Sequence, residues 1–404
     1  MIDPWITLTL DLLCLGFSFV FFWSMFLVVA GIIRPAKRHP SARTRLRFAV
    51  LVCARNEERV IRLPVKSVLM GKYPAECREV IVLADNCSDK TVENARKAGA
   101  TVWEKTCPSR GKGDVLAWGV DRVRKAGRFD AVAVFDADNI ASESWFNAVN
   151  DALQDGETVV TGRRHSSNAT ANVIAGWYTV YWAVMNELSN RVRTNLGLSG
   201  KLTGTGFAFL LSALGPEGWK TSTLVEDVEF SIQTNLAGRR VAYVPDADYA
   251  DEQPETWPYM WRQLRRWTTG GWQVLVRYLL PWLCGLCRRP SMRLFDSYFS
   301  ILTGTSVAFI HLFNVIAFVY KLCRGVEFVE AGRLFFGIVG FVCLMSWFMA
   351  VAAIALSAEK RRPKVVAVVT FPVFSLILSA SVIFTMIFPT RQWKPIPHGE
   401  AEKV

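Results

Sequence analysis

Apolar and charged stretches occupy separate parts of this chain of 404 residues. Residues 5–33, 297–320, 334–357 and 365–388 are almost wholly apolar, and each is long enough to cross a bilayer as a helix. Most of the charged residues lie between the first and the second of these stretches. The pattern predicts one N-terminal and three C-terminal membrane spans around a polar insert. A buried core helix is the alternative for each stretch.

Clusters of Lys and Arg indicate how the spans are oriented. Such clusters follow the first span at 34–47, precede the second at 288–293 and separate the third from the fourth at 360–364. Because basic loops stay on the cytoplasmic side of a membrane, we expect the insert in the cytoplasm and both termini outside the cell. The tail over 391–404 is then external, and the expected location is the plasma membrane.

The formal net charge of +12 suits an anionic partner, which could be nucleic acid, anionic lipid or a phosphate-bearing substrate. The sequence has no RNA-recognition core, zinc-finger spacing or basic heptad helix, so we expect no nucleic-acid partner. The nine Cys residues are scattered, and Cys284-x-x-Cys287 lacks a second pair, which argues against a disulfide framework and a zinc site. Membrane lipid and a phosphate-bearing substrate are the expected partners.

Short apolar runs typical of buried strands alternate with helical patterns in the insert. The runs lie at 48–53, 79–84, 101–103 and 131–135. This alternation predicts an α/β domain over 45–250, with a parallel-rich sheet and helices on both of its faces. Ligands bind such sheets at the carboxyl ends of the strands.

Carboxylate and amide side chains stand at three of these strand ends. They are Asn56 and Glu57 after the first strand, Asp85 and Asn86 after the second, and Asp136 and Asp138 after the fourth. A D-x-D pair can hold a hard divalent cation and, through it, two phosphates; the alternative is an Asx turn that caps the next helix. Asp85 with Asn86 could bind a nucleobase or a ribose, or else cap the helix that starts at Thr91.

Charged residues in the middle of the insert form two further candidates. Lys112 lies in a Gly-flanked turn, where its ammonium could meet a phosphate or remain in solvent. Glu226 and Asp227 open a predicted helix, and one of them could accept a proton from an attacking hydroxyl as a general base. The alternative is that the helix dipole stabilises both acids at the N-terminus.

The segment 251–295 is rich in Trp and Arg, which is typical of helices that lie on a membrane surface. Within it, Gln263, Arg266 and Trp267 fall in one helical turn. The guanidinium could pair with a leaving diphosphate, and the indole could stack on a sugar face. The alternative is a basic interfacial helix without a binding role.

The order of these motifs resembles that of the membrane-embedded processive family 2 glycosyltransferases, which include cellulose, hyaluronan, chitin-oligosaccharide and poly-N-acetylglucosamine synthases. Their pattern consists of an Asp pair, a D-x-D, a T-E-D triplet and a Q-x-x-R-W. Here it stands as Asp85-Asn86, Asp136-Ala137-Asp138, Val225-Glu226-Asp227 and Gln263-Leu264-Arg265-Arg266-Trp267. The resemblance extends over roughly residues 45–390, and Asn86 and Val225 are its two departures from the pattern.

This resemblance implies a GT-A glycosyltransferase fold between about four transmembrane helices. It also implies an inverting reaction, a UDP-sugar donor and Mg²⁺ or Mn²⁺ as cofactor. By the same resemblance, Asp227 is the general base and Asp138 the main metal ligand. The expected donor-binding residues are Asn56, Glu57, Asp85, Lys112, Asp136, Gln263 and Arg266, and the expected acceptor-binding residues are Trp267, Gly204, Thr205 and Glu226.

The expected function is the transfer of a sugar onto a growing glycan by a processive polysaccharide or oligosaccharide synthase, with N-acetylglucosamine as the sugar by the nearest resemblance. The alternative is a non-processive enzyme that adds one sugar to a lipid acceptor. A non-catalytic carbohydrate-binding or scaffold protein would not need the candidate acids. A transporter is not expected, because the predicted spans contain few charged residues.

Overall fold

The computed structural model describes residues 4–35, 37–359 and 361–390 of the chain. The strands are β1 (Phe48–Ala54), β2 (Arg78–Asp85), β3 (Thr101–Lys105), β4 (Ala131–Asp136), β5 (Ile140–Ala141), β6 (Val159–Ser166), β7 (Phe207–Leu210) and β8 (Val241–Asp251). The helices are α1 (Pro4–Ile32), α2 (Arg62–Leu69), α3 (Thr91–Lys97), α4 (Lys112–Ala126), α5 (Trp145–Gln154), α6 (Val173–Ala183), α7 (Val192–Asn195), α8 (Glu226–Leu236), α9 (Trp257–Arg288), α10 (Met292–Cys323), α11 (Phe328–Leu356), α12 (Val365–Val369) and α13 (Phe371–Ile387). A π-helical segment, Val184–Arg191, joins α6 to α7. The external tail expected over 391–404 lies outside the described residues.

The eight described strands form one mixed sheet in the order β3-β2-β1-β4-β7-β6-β8-β5. β1 is parallel to both β2 and β4, and β2 is parallel to β3, as the alternation of strands and helices predicted. β7 is antiparallel to β4 and β6, and β5 is antiparallel to β8. A tight turn leads the chain into β7 in this reversed direction, with φ of 90° at Gly204 and 62° at Gly206.

Alternate residues of β1 pack on opposite faces of the sheet, which is the period of a strand. Val50 and Val52 belong to the core that α2 and α5 cover, whereas Ala49 and Leu51 belong to the core that α4 covers. All four side chains are fully buried. Burial on both faces explains why the strand appears in the sequence as an uninterrupted apolar run.

Within the described part of the chain, three helices are long and apolar enough to cross a membrane, namely α1 over Leu8–Ile32, α10 and α11. The fourth predicted span is divided at Thr370 into α12 and α13, and α13 has only 17 residues. Pro372 in the first turn of α13 has no backbone N–H, so it cannot continue the hydrogen bonding of α12. Exposed side chains such as Phe22 and Phe348 give the long helices an apolar surface suited to lipid.

The segment expected to form several interfacial helices, 251–295, contains one long helix instead. α9 runs for 32 residues and includes Pro281. It packs against α8, α10 and α13. The Q-x-x-R-W motif therefore lies on a helix that contacts both the sheet domain and the apolar C-terminal helices, and contact of α9 with a membrane surface stays a prediction.

A buried ion pair joins the sheet domain to the apolar helices. Nε of Arg193, on α7, lies 2.9 Å from Oδ2 of Asp296 on α10. Nε1 of Trp23, on α1, donates a hydrogen bond of 3.0 Å to the other oxygen of Asp296. Because a fully buried carboxylate is costly unless it is paired and hydrogen-bonded, this contact fixes where α7 meets α1 and α10.

Candidate active site

A cavity of about 770 Å³ lies at the carboxyl ends of β1, β2 and β4 and reaches α10 and α13. Eleven of the thirteen site residues expected from the sequence line it. They are Glu57, Asp85, Lys112, Asp136, Asp138, Gly204, Glu226, Asp227, Gln263, Arg266 and Trp267. The fold thus brings together motifs that lie far apart along the chain.

Asn56 and Thr205 do not line the cavity, and both hold loops at its edge instead. Asn56 has a positive φ of 57°, and its Oδ1 accepts a hydrogen bond of 2.8 Å from the backbone N–H of Ser88. The buried hydroxyl of Thr205 accepts from the backbone N–H of Asp136 at 2.9 Å and donates to Asn139. Both side chains thus support the loops around the cavity, and the binding roles expected for them stay predictions.

The carboxylate of Asp85, at the end of β2, is held by three neighbours. Ser109 donates to it at 2.6 Å, the side-chain amide of Asn86 donates at 2.9 Å, and Nη1 of Arg55 lies 3.7 Å away. Asn86 adopts a φ of 50°, a left-handed conformation that Asn tolerates better than most residues. Asn86 can donate this hydrogen bond where a second carboxylate could not, which gives a physical reason for the departure from the Asp pair.

Lys112 stands at the start of α4 between two carboxylates. Its Nζ lies 2.5 Å from Oδ1 of Asp136 and 3.9 Å from Oε1 of Glu226, and it donates to the carbonyl oxygen of Gly204 at 2.6 Å. Burial alone would lower the pKa of Lys112, but the two carboxylates raise it above its ordinary value. The ammonium therefore stays charged and links the D-x-D turn to the turn at Gly204.

Asp138 lies close to a buried acid, Asp251, that the sequence did not indicate. Oδ2 of Asp138 accepts from the backbone N–H of Glu252 at 3.2 Å. Burial raises the pKa of the neighbouring Asp251 to about 6; the ion pair with Arg164 opposes this rise, and the charges of Asp138 and Asp136 add to it. Negative charge is thus concentrated around the D-x-D turn.

The donor atoms at this turn suit a divalent cation. The carboxylates of Asp136 and Asp138 both line the cavity and are the hard oxygen ligands that Mg²⁺ and Mn²⁺ prefer. In the described ranges, no group of three or more His, Cys, Asp or Glu side chains is arranged to hold a metal ion. The residues therefore fit a cation that takes its other ligands from a bound diphosphate, and they do not form a closed protein cage.

Glu226 and Asp227 form the first turn of α8, and both carboxylates are buried at the cavity wall. Burial raises the pKa of Glu226 to about 7, with Lys112 opposing and Asp227 adding to the rise. Burial also raises the pKa of Asp227, while the nearby charges of Arg266 and Lys112 favour its ionised form. A carboxylate with a raised pKa is a better proton acceptor than an ordinary one.

The Q-x-x-R-W residues of α9 present an amide, a guanidinium and an indole to the same space. Oε1 of Gln263 is buried and has no hydrogen-bond partner in the described part of the chain. Nη1 of Arg266 donates to the carbonyl of Leu224 at 3.1 Å. The indole of Trp267 stacks on Tyr181, with ring centroids 5.8 Å apart and an interplanar angle of 23°. The unpartnered amide oxygen is suited to a ligand hydroxyl or amide.

Several lining residues were missed by the sequence analysis. They include Arg164, Tyr181, Trp182, Met185, Lys201 and Asp251 from the sheet domain, and Ile301, Gly304, Thr305, Leu378 and Val382 from the apolar helices. The aromatic cluster around Trp182 could have been suspected, because residues 171–194 are rich in Trp and Tyr. The apolar helices carry no local signal of this kind, since only their packing brings them to the cavity.

Comparisons with known proteins agree with this geometry. Residues 45–270 match a family model described as "Glycosyltransferase like family 2". The chain is 27% identical over 336 residues to the probable glycosyltransferase YdaM of Bacillus subtilis (strain 168), which covers 78% of this chain and 75% of that protein.

Two further proteins are similar over different lengths. The poly-beta-1,6-N-acetyl-D-glucosamine synthase of Staphylococcus aureus (strain COL) is 28% identical over 233 residues, which is 56% of this chain and about half, 55%, of the synthase. The solved structure of the mannosyltransferase PcManGT from Pyrobaculum calidifontis, in complex with GDP-Man and Mn²⁺, covers 93% of this chain and 99% of its own at a TM-score of 0.60. At 15% identity, this last likeness concerns the fold alone.

Proposed function

Since the chain belongs to the family 2 glycosyltransferases, we propose that it transfers a sugar from a UDP-sugar to a growing glycan at a membrane. The observation that carries this proposal is that one cavity holds Asp85, the D-x-D turn, the buried carboxylate of Asp227 and the Q-x-x-R-W helix. N-acetylglucosamine is the proposed sugar, supported by the similarity to the poly-N-acetylglucosamine synthase.

The donor is proposed to bind along the strand ends. Asp85 and Glu57 face the part of the cavity formed by β1 and β2, where a uridine would find a carboxylate already held by its neighbours. Lys112 and Arg266 supply positive charge for the diphosphate, and the unpartnered Oε1 of Gln263 can accept a hydrogen bond from a hydroxyl of the sugar.

A divalent cation, Mg²⁺ or Mn²⁺, is the proposed cofactor. Asp138 would be its main ligand, because Asp136 is already paired with Lys112 at 2.5 Å. When bound, such a cation neutralises charge that develops on a leaving diphosphate. The incomplete set of protein ligands agrees with a metal that binds together with the nucleotide.

In the proposed chemical step, Asp227 is the general base. Its carboxylate accepts the proton of the acceptor hydroxyl, and the hydroxyl oxygen forms a bond to the anomeric carbon of the donor sugar. The bond between that carbon and the β-phosphate oxygen breaks, and its electron pair leaves with UDP. Arg266 stabilises the negative charge on the leaving group, and attack from the face opposite UDP inverts the anomeric carbon.

The acceptor is proposed to reach Asp227 past the aromatic cluster of Trp267 and Tyr181. A sugar ring can stack on such side chains, which supports a role of Trp267 in holding the end of a glycan. The turn at Gly204 lies beside the proposed base, because a Cβ at Gly204 would be 3.9 Å from Oδ2 of Asp227. Glu226, beside the base, completes the proposed acceptor contacts.

The three long apolar helices support a membrane location. We place the sheet domain in the cytoplasm and both termini outside the plasma membrane, because the basic clusters flank the helix ends on one side. A processive synthase would then pass its product toward α10 and α13, which line the cavity.

A second candidate function is the addition of one sugar to a lipid acceptor. It is favoured by the apolar side chains of Ile301, Leu378 and Val382, which line the part of the cavity formed by the apolar helices. An acyl or isoprenoid chain fits such a wall better than a hydrophilic glycan does.

The test is turnover by the purified full chain in lipid nanodiscs with Mn²⁺. Labelled UDP-GlcNAc, UDP-Glc, UDP-GlcA and UDP-Gal are supplied one at a time, and the product is sized. A ladder or a long polymer from one donor supports the synthase, whereas a single labelled species that partitions with lipid supports the second candidate. No transfer from any of the four donors, by protein whose fold is verified by its thermal transition, would contradict both.

A further inference from the structure

Among the residues that the structure describes, six cationic side chains line the cavity, and four of them are paired with carboxylates. The pairs are Arg55 with Asp85, Arg110 with Asp114, Lys112 with Asp136 and Arg164 with Asp251. Within the described residues, Arg266 and Lys201 have no carboxylate oxygen within 4.0 Å. Arg266 belongs to the proposed donor site, so Lys201 is the one of these two unpaired cations that the proposed chemistry leaves without a role.

The position of Lys201 is fixed by its backbone. Its N–H donates to Oδ1 of Asn190 at 3.0 Å, and its carbonyl accepts from Nδ2 of the same residue at 3.0 Å. Nζ makes one long hydrogen bond of 3.4 Å, to the carbonyl oxygen of Ser300 on α10, among the residues that the structure describes. An ammonium can donate three hydrogen bonds, so most of its capacity remains available to a ligand.

The charges around Lys201 do not compensate it. Burial and the charge of Arg193 lower the pKa of Lys201 to about 8, while Asp227 and Asp296 act in the opposite direction. Asp296 is engaged by Arg193 at 2.9 Å, and Asp227 is the proposed base. Because an enclosed cation without a counter-ion is unfavourable, a ligand that brings negative charge to Lys201 will be stabilised there.

Lys201 stands where the catalytic part of the cavity meets the part lined by the apolar helices. The charge of Asp227 acts on its ammonium, and both side chains line the cavity. On the other side, Ser300 belongs to α10, and the adjacent Ile301 lines the cavity together with Leu378 of α13. A molecule that extends from Asp227 to α10 and α13 therefore passes the ammonium before it meets an apolar wall.

We propose that Lys201 binds the phosphate of a lipid-linked acceptor whose apolar chain lies between α10 and α13. This assignment rests on the proposed sugar transfer in its second form, transfer to a lipid acceptor, because it places the head group of that acceptor beside Asp227. A compact ammonium is a strong partner for phosphate, and the side chains of Ile301 and Leu378 suit an isoprenoid or acyl chain. A neutral glycan would leave the charge of Lys201 uncompensated.

The test uses geranyl phosphate, which joins one phosphate to a short isoprenoid chain, and geraniol as its neutral counterpart. Binding to the full chain in nanodiscs is measured by titration calorimetry without sugar nucleotide, and empty nanodiscs serve as the blank. Lys201→Met is expected to weaken binding of geranyl phosphate about tenfold or more near neutral pH and to leave geraniol unchanged. Wild-type binding should weaken as the pH rises through about 8, whereas Lys201→Arg should keep its affinity there.

A matched control is Lys125→Met, which removes an exposed lysine on α4 that pairs with Asp121. It should bind geranyl phosphate like the wild type, and the thermal transitions of all variants should agree. Equal binding of geranyl phosphate by the wild type and by Lys201→Met would overturn the assignment, as would equally tight binding of geraniol.

Sugar transfer from UDP-GlcNAc is measured on the same samples. The protein could bind geranyl phosphate through Lys201 and yet transfer no sugar from any donor. That result would contradict the proposed function and still support a phosphate-binding site at Lys201. The protein could instead transfer sugar to a β-linked N-acetylglucosamine tetramer, with the same acceptor KM in the wild type and in Lys201→Met. That result would contradict the lipid-phosphate assignment and support the proposed function.

Discussion

The ammonium of Lys112 lies 2.5 Å from a carboxylate oxygen of Asp136, so the first acid of the D-x-D turn is already neutralised by a protein side chain. The same ammonium donates to the carbonyl of Gly204, close to the proposed acceptor site. One buried cation therefore holds the donor and acceptor sides of the cavity together. It also leaves Asp138 as the D-x-D carboxylate better placed to bind metal.

Replacing Lys112 with Met is expected to weaken donor binding and to slow transfer. The change removes an ammonium that the proposed donor site offers to the diphosphate, and loss of a hydrogen bond to a charged group, about 1.5–3 kcal/mol, corresponds to about a tenfold or greater loss of affinity. The measurement is the KM for UDP-GlcNAc together with direct binding of UDP. Lys112→Arg should not restore the wild-type values, because a planar guanidinium does not fit two acceptors arranged for a compact ammonium. The control, Lys125→Met, should leave both values unchanged, and a similar KM for Lys112→Met would disprove the role.

Asp227→Asn is expected to fold and to bind the donor but to lose sugar transfer. An amide cannot accept the proton of the attacking hydroxyl, and loss of a general base lowers rates by about 100-fold or more. Donor affinity and the transfer rate are measured on the same preparation. If Asp227→Asn transferred sugar at a rate close to that of the wild type, another group would have to be the base.

Glu226→Gln is expected to move the acidic limb of the pH profile to lower pH. In the wild type, burial raises the pKa of both Glu226 and Asp227, so the two acids share a proton as the pH falls and part of the proposed base is lost. Removing the charge of Glu226 makes the ionised form of Asp227 easier to keep, because like charges no longer repel. The test compares kcat against pH for the two proteins. An unchanged acidic limb would show that this pair does not control the rate.

The strand ends and the order of the motifs could be predicted because their signals are local. The run that forms β1, and the acids Asp85 and Asp138 that follow buried strands, can be identified within a few residues of sequence. β7 has four residues, and nothing in them specifies an antiparallel direction. Lys201 and Asp296 could not be recognised, because their partners Ser300 and Arg193 lie 99 and 103 residues away along the chain.

Asn56 and Thr205 have structural contacts that the motifs did not predict. Both stand in the expected loops, yet a positive φ turns Asn56 toward Ser88, and burial directs the hydroxyl of Thr205 to the backbone of Asp136. The fold thus uses them to shape the cavity edge. These contacts depend on the backbone geometry of the two turns, and direct ligand binding by either residue stays a prediction.

Removing divalent metal with EDTA is expected to abolish transfer, and Mn²⁺ or Mg²⁺ should restore it. Asp138→Asn should require a higher metal concentration for half-maximal activity, because it removes one of the few carboxylate ligands near the diphosphate. Asp121→Asn, on the exposed side of α4, is the matched control. The readout is the Mn²⁺ dependence of transfer and of UDP binding. Full activity in EDTA would contradict the metal requirement, and an unchanged Mn²⁺ dependence in Asp138→Asn would remove Asp138 as a ligand.

His165 on β6 is expected to make the contact between the sheet domain and the loop after α11 sensitive to alkaline pH. Its two ring nitrogens lie 3.0 Å from Asp248 and 3.0 Å from Glu359, a residue of that loop. Burial alone would lower the pKa of His165, but the two carboxylates outweigh it and raise the pKa to about 9.

Because the pKa of His165 in the folded state is above the ordinary value of 6.5, the protonated ring stabilises the folded state, and this stabilisation is complete below pH 6.5. The contribution, up to about 3 kcal/mol, declines as the pH rises through 6.5 and is lost once it passes about 9. The thermal midpoint of the wild type in nanodiscs should therefore fall by about 5 °C across this window. His165→Gln has no titrating group at this position and should show a flatter profile, as should Glu359→Gln to a smaller degree. Parallel profiles for the wild type and His165→Gln would show that this contact does not control the stability of the fold.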